Sequence, residues 1–430
     1  MRRLLPAALC VCALAIPAAE AAAANDPLRS QQYGLDIVES DQAHAITTGG
    51  GAVVAVIDSG VRASHQDLQG RLLPGFDFVD NDNDPNVPAS ADGHGTHVLG
   101  IAGANEGNGV GVSSVAPGAM YIPVRVLGDD GSGSSDDVAQ GIDFAVARGA
   151  DVINLSLGDQ LGAVASSPEF SDAIARALDA GRVVVAAAGN TGLPVCEQPS
   201  GQGRLLCVGS VDENRQRSFF SSFGVGLGIT APGGSATLLG RDIVSTFNES
   251  DASYSELAGT SQAAPHVAGV AALLVSRGVR GQAAVQRILA TASDAGAPGP
   301  DAEYGAGIVN ARRAVAGLGS GQAGSGSGAS VSVRRRQRIR TVLRRGIRVR
   351  CRAAGSGRCK VGVRARKRRV AAGSRPLRPG RSVLVTARLN RRGRRIARRA
   401  LRARKRVRLQ VQVRLPGAPL QKRRVLLLPR

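Results

Sequence analysis

Short apolar runs alternate with amphipathic stretches over residues 25–318. The runs are rich in Val and Ile and cover residues 52–57, 121–126, 151–155 and 182–188. Between them, residues 135–148 and 168–180 show the apolar spacing of helices. Strands that are apolar on both sides and alternate with helices predict a parallel sheet covered on both faces. We therefore predict a three-layer α/β fold, whose reactive groups would collect at the carboxyl ends of the strands.

The pattern changes after residue 318. Residues 318–330 (LGSGQAGSGSGAS) read as a flexible linker between domain 25–317 and domain 331–430. In the second domain, residues 348–352, 360–366, 382–389 and 407–415 alternate with period two, which is typical of half-buried antiparallel strands. In residues 390–404, Ile396, Ala400 and Leu401 are spaced for one face of a helix capped by Asn390. This pattern predicts a small β-rich C-terminal domain, and a disordered basic tail is the alternative.

The first 24 residues have the features of a secretory signal peptide. Arg2 and Arg3 precede an apolar run over residues 4–16, and small residues suitable for cleavage follow. The alternative is a membrane anchor, but the run is short for a bilayer span. We therefore expect a secreted, extracellular and monomeric protein with no transmembrane segment in its mature chain.

Charge divides the chain more sharply than the hydrophobic pattern does. Residues 25–319 carry 16 basic and 32 acidic residues, whereas the residues after 320 carry 37 basic residues and no acidic one. A field of this strength predicts attachment to a polyanion, such as an anionic cell-wall polymer. The tail contains no aromatic residue on which bases could stack, which argues against single-stranded nucleic acid. Docking on the acidic domain is the alternative role.

Four cysteines remain after the leader, as two close pairs in different segments. In an oxidising compartment, the simplest pairing is Cys196 with Cys207 and Cys351 with Cys359. Four buried thiols without disulfides are the alternative.

Three local signatures stand in the order Asp, His, Ser. The segment VVAVIDSG ends an apolar run at Asp58, DGHGTHV places His94 between glycines, and GTSQAAPH places Ser261 at the start of a helix that extends to Ser276. Each residue alone has an ordinary structural interpretation, as a strand-end cap, a loop histidine or a helix N-cap. Their joint occurrence, each in its expected setting, favours one shared site.

These signatures resemble those of the subtilisin-like serine proteases, the subtilases. The resemblance covers residues 25–317 and implies a serine endopeptidase. His94 would accept the proton of the Ser261 hydroxyl, and Asp58 would hold the imidazole in the required tautomer. His97 and His266 fall inside predicted helices, and we expect them to be structural.

The resemblance also implies residues that contact the substrate. Asn190, in the segment AAAGN, would donate its amide to the oxyanion. The two walls of the main specificity pocket would be Ser156, Leu157 and Gly158 on one side, and Ala187, Ala188 and Gly189 on the other. Asp159 stands where the family usually has Gly. Its charge either favours basic substrate side chains or is simply solvated.

Calcium is the implied bound ion. Side-chain oxygens of Asp26, Asp67 and Asn108, together with loop carbonyls of Asn105, Val110 and Val112, resemble the family's strong calcium site. A second acidic cluster, Asp77, Asp80, Asp82 and Asp84, would either bind another ion or form a solvated turn.

One feature of the sequence departs from the family's pattern. Many subtilases carry a pro-domain after the leader, whereas Asn25 already resembles the start of the catalytic domain. A catalytically silent binding protein is the rival interpretation, and the four intact catalytic signatures argue against it.

Overall fold

The computed structural model describes residues 25–157, 167–197, 204–237, 240–318, 330–333, 336–352, 357–365, 368–377, 382–414 and 421–429. The predicted signal peptide, Gly158, Asp159 and most of the predicted linker lie outside these residues. The chain forms two compact units: Met1–Val275 with Gly281–Leu318, and Gly319–Arg430 with Ser276–Arg280. Among the described residues, no helix is both long and apolar enough to cross a membrane.

The first unit is built on a sheet of seven parallel strands. The strands are β1 (Val53–Asp58), β2 (Phe76–Asp77), β3 (Met120–Arg125), β4 (Val152–Leu155), β5 (Val183–Ala187), β6 (Leu206–Val211) and β7 (Ile229–Pro232). Their order across the sheet is β2-β3-β1-β4-β5-β6-β7. The chain therefore starts inside the sheet with β1, places β2 and β3 on one side, and then adds β4 to β7 outward on the other. The point where this direction reverses, beside β1, is where ligands bind in open α/β sheets.

Both faces of this sheet are buried. Ala55 and Ile57 of β1 face the same apolar cluster as Val138 and Ile142, which belong to a helix on that face. Val54 alternates with them and is fully buried on the opposite face. The predicted three-layer α/β architecture is therefore confirmed.

Eight α-helices, two short 3₁₀ helices (Arg29–Gln31 and Gln66–Leu68) and a small hairpin complete the first unit within the described residues. The helices are α1 (Tyr33–Ile37), α2 (Ser40–His44), α3 (His94–Gly103), α4 (Ser135–Arg148), α5 (Pro168–Asp179), α6 (Thr260–Ser276), α7 (Gln282–Ala290) and α8 (Ala311–Val315), and the hairpin joins β8 (Ile243–Thr246) to β9 (Tyr254–Leu257). Helices α4 and α5 match the predicted helices to within one residue. Every residue of α6 is buried, which is typical of a helix in the centre of a domain.

The second unit is a β-sheet with its own core. Its eight strands are β10 (Ser330–Val333), β11 (Arg336–Arg338), β12 (Ile347–Arg352), β13 (Gly357–Ala365), β14 (Arg368–Leu377), β15 (Ser382–Leu389), β16 (Val407–Arg414) and β17 (Gln421–Leu428), in the order β10-β12-β15-β14-β13-β16-β17-β11. Helix α9 (Ile339–Arg345) precedes β12, and α10 (Arg391–Arg402) lies where the sequence predicts a helix. Asn390 caps α10 through a 2.8 Å bond from the Gly393 amide to its Oδ1.

Period-two alternation explains how so basic a segment folds. In β16, Leu409, Val411 and Val413 are buried, the glutamines between them are partly exposed, and the flanking Arg408 and Arg414 are exposed. Apolar residues from all the longer strands meet in one cluster on the inner face, while the arginines extend into water. The predicted β-rich unit is therefore confirmed against the alternative of a disordered tail.

Both predicted disulfides are present. Cys196 is bonded to Cys207 in the first unit, and Cys351 is bonded to Cys359 in the second.

Candidate active site

Asp58 is the last residue of β1 and lies buried at the carboxyl edge of the central sheet. Its Oδ1 accepts a hydrogen bond from the Ser59 amide at 2.8 Å and another from His94 Nδ1 at 2.7 Å. A carboxylate in this position favours the imidazole tautomer with its proton on Nδ1, which leaves Nε2 as a base. The structure therefore brings the predicted carboxylate and the predicted base together.

His94 is held there by the start of α3. The Oδ1 of Asp92 accepts a 2.9 Å hydrogen bond from the His94 amide, which holds the backbone just before the helix. Gly95 packs against the carbonyl of Gly60 and against Asp58, leaving no room for a side chain. This close approach of the helix to the end of β1 fixes the distance between the imidazole and the carboxylate.

Burial and neighbouring charges act in opposite directions on the pKa of His94. Burial lowers the pKa of His94, but the charge of Asp58, the hydrogen bond to Asp58 and the charge of Asp92 together raise it above the ordinary value. A raised pKa means that the ion pair with Asp58 stabilises the imidazolium. This is the property needed by a base that must hold a proton transiently.

Ser261 reaches the same edge of the sheet through β4. Ile57 pairs with Leu155 in the parallel register of β1 and β4, so Ser156 follows at the level of Asp58. Ser156 Oγ donates to the Ser261 carbonyl at 2.7 Å, and Ser261 Oγ donates to the Ser156 carbonyl at 3.2 Å. These two bonds attach the first turn of α6 to the strand beside β1. The hydroxyl of Ser261 is thus hydrogen-bonded to the Ser156 carbonyl in this structure.

Asn190 lies just beyond β5, on the same edge. Its Oδ1 accepts hydrogen bonds from the Thr260 amide at 2.8 Å and from Thr260 Oγ1 at 3.0 Å. Because the oxygen is engaged in this way, the other end of the side-chain amide is an NH₂ donor beside the first turn of α6. The sequence interpretation did not single out Thr260, although its position directly before Ser261 was a signal.

Most of the predicted pocket walls lie where the neighbouring strands end. Ser156 and Leu157 follow β4, and both are buried. Ala187 ends β5, and Ala188 and Gly189 continue from it toward Asn190. Because β4 and β5 are adjacent in the sheet, the two predicted walls extend from neighbouring strand ends. Gly158 and Asp159 lie outside the described residues.

Two further histidines sit near the site without entering it. Burial lowers the pKa of His97 to about 3 and that of His266 to about 4, so both are neutral at pH 7. His97 Nε2 donates to the Ile243 carbonyl at 2.9 Å. These contacts agree with the structural roles predicted for both residues.

Comparison with known proteins identifies the family. A family model described as "Subtilase family" matches residues 49–307. The chain belongs to the subtilase family. It is 40% identical over 292 residues to thermitase of Thermoactinomyces vulgaris, covering 68% of this chain and 98% of thermitase. It is 36% identical over 289 residues to subtilisin DY of Bacillus licheniformis, covering 66% and 97% of the two chains.

A solved structure supports the same assignment for the fold. A protease from Pseudoalteromonas arctica PAMC 21717 aligns with a TM-score of 0.61 at 34% identity, covering 69% of this chain and 99% of that chain. The predicted family, enzyme class and fold are therefore confirmed, and this subtilase is a serine endopeptidase that acts on proteins.

The segments predicted to bind calcium come together in this subtilase. Asp26 accepts backbone amides of Gly107, Asn108 and Gly109 at 2.9–3.2 Å. Asp67 accepts the Asn108 side-chain amide at 2.7 Å, the Val112 amide at 2.9 Å and the Tyr254 hydroxyl at 3.2 Å. All six of these donors are uncharged.

The two carboxylates suit a divalent cation. Both are buried, and burial together with the charge of Asp26 raises the pKa of Asp67 despite its hydrogen bonds. An ion between them would relieve that repulsion with the hard oxygen ligands that Ca²⁺ prefers. The Asn108 side chain directs its NH₂ to Asp67, whereas its Oδ1 accepts the Val110 amide at 2.9 Å. To offer its side-chain oxygen to an ion, Asn108 would have to turn about χ2. Asn105 could contribute only its backbone carbonyl, because Arg71 already binds its Oδ1 at 2.6 Å.

The second acidic cluster is organised by an arginine. Arg125, at the end of β3, forms ion pairs with Asp77 at 2.7 Å, with Asp80 at 2.8 Å and with Asp129 at 2.7 Å. A guanidinium already neutralises the buried Asp77, so these contacts favour an acidic turn over a second ion site.

The ion pair at His94 leads to a prediction about pH dependence. Asp58→Asn removes the charge that raises the pKa of His94, so burial prevails and the pKa falls. The acid limb of kcat/KM should move to lower pH, and kcat should fall about 10⁴-fold. The pH profile of peptide hydrolysis measures both effects.

Asp92→Asn is the matched control, because it removes a charge that acts on His94 without a side-chain bond to the imidazole. Asp92→Asn should also move the acid limb of kcat/KM to lower pH, but by a smaller amount than Asp58→Asn does. An unchanged acid limb in Asp58→Asn would contradict this account.

Proposed function

We propose that this subtilase hydrolyses peptide bonds through an acyl-enzyme on Ser261, with His94 as the base and Asp58 as its partner. The observation that supports this most directly is the 2.7 Å bond from His94 Nδ1 to Asp58 at the sheet edge where Ser261 is attached. Rotation about χ1 would release Ser261 Oγ from the Ser156 carbonyl, and its proton would pass to His94 Nε2. The oxygen then attacks the substrate carbonyl, and His94 returns the proton to the leaving amine.

The developing oxyanion would be bound by Asn190. Thr260 holds the Asn190 oxygen, so the NH₂ group is preorganised before the substrate arrives. A donor of this kind contributes about 10²–10³ in turnover, because it needs no reorientation during the reaction. Water then cleaves the ester between the acyl group and Ser261 by the same proton transfers in reverse.

Covalent labelling tests the assignment of the nucleophile. A fluorophosphonate probe should label the wild-type protein, and Ser261→Ala should abolish labelling because the probe requires an activated hydroxyl. Ser171→Ala, which removes a hydroxyl on α5, is the control and should be labelled normally. Labelling of Ser261→Ala would refute the proposal, as would an unlabelled wild type.

We also propose that Asp26 and Asp67 hold a structural calcium ion, with Asn108 and the carbonyls of Asn105, Val110 and Val112. A ligand that binds only the folded state stabilises it by about 2.7 kcal/mol at 100 times its Kd. Calcium should therefore raise the unfolding temperature of the wild type, and a chelator should lower it. Asp67→Asn should remove this response, whereas Asp82→Asn in the second cluster should retain it. A chelator without effect on the wild type would exclude the site.

Export and surface attachment are the remaining parts of the proposal. The leader over residues 1–24 and the two disulfides support export to an oxidising compartment. After residue 320 no acidic residue is available to neutralise 37 basic ones. We propose that residues 331–430 form a domain, joined by the linker 318–330, that tethers the peptidase domain 25–317 to an anionic cell-wall polymer.

Helix α10 is a dense part of this positive surface. It carries seven exposed arginines in the described residues: Arg391, Arg392, Arg394, Arg395, Arg398, Arg399 and Arg402. Guanidinium groups suit phosphate and carboxylate partners because they offer paired donors. Its inner face, including Ala397 and Ala400, packs on the core of the sheet and would remain in place during binding.

Salt elution from an immobilised phosphate polymer tests the tether. Replacing Arg394, Arg395, Arg398 and Arg399 by Gln should lower the salt concentration that elutes the protein, since fewer counterions are released on binding. The control replaces four arginines of the first unit and should elute as the wild type does. Three of them, Arg176, Arg241 and Arg312, are exposed, and Arg204 is partly exposed. Retention that does not depend on salt would refute the electrostatic tether.

A further inference from the structure

Glu197 brings a carboxylate to one wall of the predicted specificity pocket. The carboxyl group of Glu197 lies against the Cα of Gly189, so that a Cβ at Gly189 would collide with it. Gly189 also has a φ of 107°, in the region that favours glycine. The Glu197 amide donates to the Ala188 carbonyl at 2.9 Å, which aligns its segment with the same wall.

A disulfide explains why Glu197 lies there. Cys207 is in β6, opposite Ala186 of β5, and it is bonded to Cys196, the neighbour of Glu197. The bond fastens residue 196 to the strand next to β5. The residue that follows is thereby brought beside the last residues of β5, where the wall begins. This placement depends on contacts between three separate segments.

The carboxylate has hydrogen-bond donors but no counter-charge among them. Its Oε1 accepts the Thr191 hydroxyl at 2.6 Å and the Ser222 hydroxyl at 2.5 Å. The Ser222 amide in turn donates to the Gly189 carbonyl at 3.0 Å. In the described part of the chain, both side-chain donors to Glu197 are thus neutral, and the side chain is partly exposed. Two hydroxyls fix the position of the charge without neutralising it.

We propose that Glu197 determines substrate specificity by pairing with a Lys or Arg side chain in this pocket. The inference rests on the proposed active site, because the pocket is defined by the residues beside Asn190 and Ser261. A side chain bound between the two walls, on the substrate residue whose carbonyl is attacked, would carry its cation toward the Glu197 carboxylate. A charge-assisted bond in a partly desolvated pocket stabilises such a complex over one with an apolar side chain.

Paired peptide substrates that differ only in this residue, Arg or Leu, test the inference. Wild type should prefer the Arg peptide in kcat/KM. Glu197→Gln keeps the shape but loses the charge, and it should lower kcat/KM for the Arg peptide about tenfold to a hundredfold. It should leave the Leu peptide nearly unchanged. A merely structural role would lower both values together, so an unchanged Arg-to-Leu ratio would overturn the proposal.

Two further variants keep the test decisive. Asp179→Asn removes one charge at the far end of α5, before β5 begins, and should retain the wild-type ratio. Glu197→Asp keeps the charge but shortens the side chain, and it should retain a weaker preference for Arg even if the Gln variant folds poorly. A wild-type preference for Leu would refute the role of Glu197.

Fluorophosphonate labelling separates this inference from the function on which it rests. If the wild type is labelled at Ser261 but the Arg-to-Leu ratio is the same in wild type and Glu197→Gln, only the specificity proposal fails. If the wild type is not labelled, the active-site proposal fails, and the specificity proposal fails with it.

Discussion

The active site depends above all on the parallel pairing of β1 with β4. This register brings Ser156 level with Asp58, and Ser156 is the residue to which the start of α6 is hydrogen-bonded. A slip of one residue would turn the side chains of β1 to the opposite faces, moving Ile57 out of its cluster and Asp58 away from α3. Burial of both faces of the sheet prevents that slip. The hydrophobic effect, acting on Val and Ile far from any substrate, thus sets the position of the hydroxyl and the carboxylate.

The sequence predicted the inner strands better than the outer ones. The β1, β3, β4 and β5 segments are mostly apolar and rich in Val and Ile, and the structure confirms them as strands. Strands β6 and β7 were not predicted, since LCVGSV and ITAP contain Gly, Ser and Pro, which are typical of turns. Their strand conformation comes from pairing with β5 and with each other. Such pairing is a tertiary effect that local composition does not encode.

The site residues show the same difference between what local sequence encodes and what tertiary contacts determine. Asp58, His94, Ser261 and Asn190 stand in local signatures, so the sequence alone predicts them as site residues. The role of Thr260, the Arg125 ion pairs at the acidic turn and the position of Glu197 could not. Each depends on side chains from distant segments meeting in space. Arg125, for example, lies in a strand, while its partners Asp77 and Asp80 come from an earlier part of the chain.

Catalysis and specificity therefore have different structural supports in this subtilase. The charges that act on His94 come from Asp58 at the end of β1 and from Asp92 just before α3, beside the packed core. The carboxylate beside Gly189 comes from a loop that the Cys196–Cys207 bond fastens to β6. A loop tolerates substitution better than a core strand, because few buried contacts depend on it. The side chain at residue 197 can thus differ among proteins that keep the same catalytic edge, and substrate preference can change without altering how Ser261 and His94 are positioned.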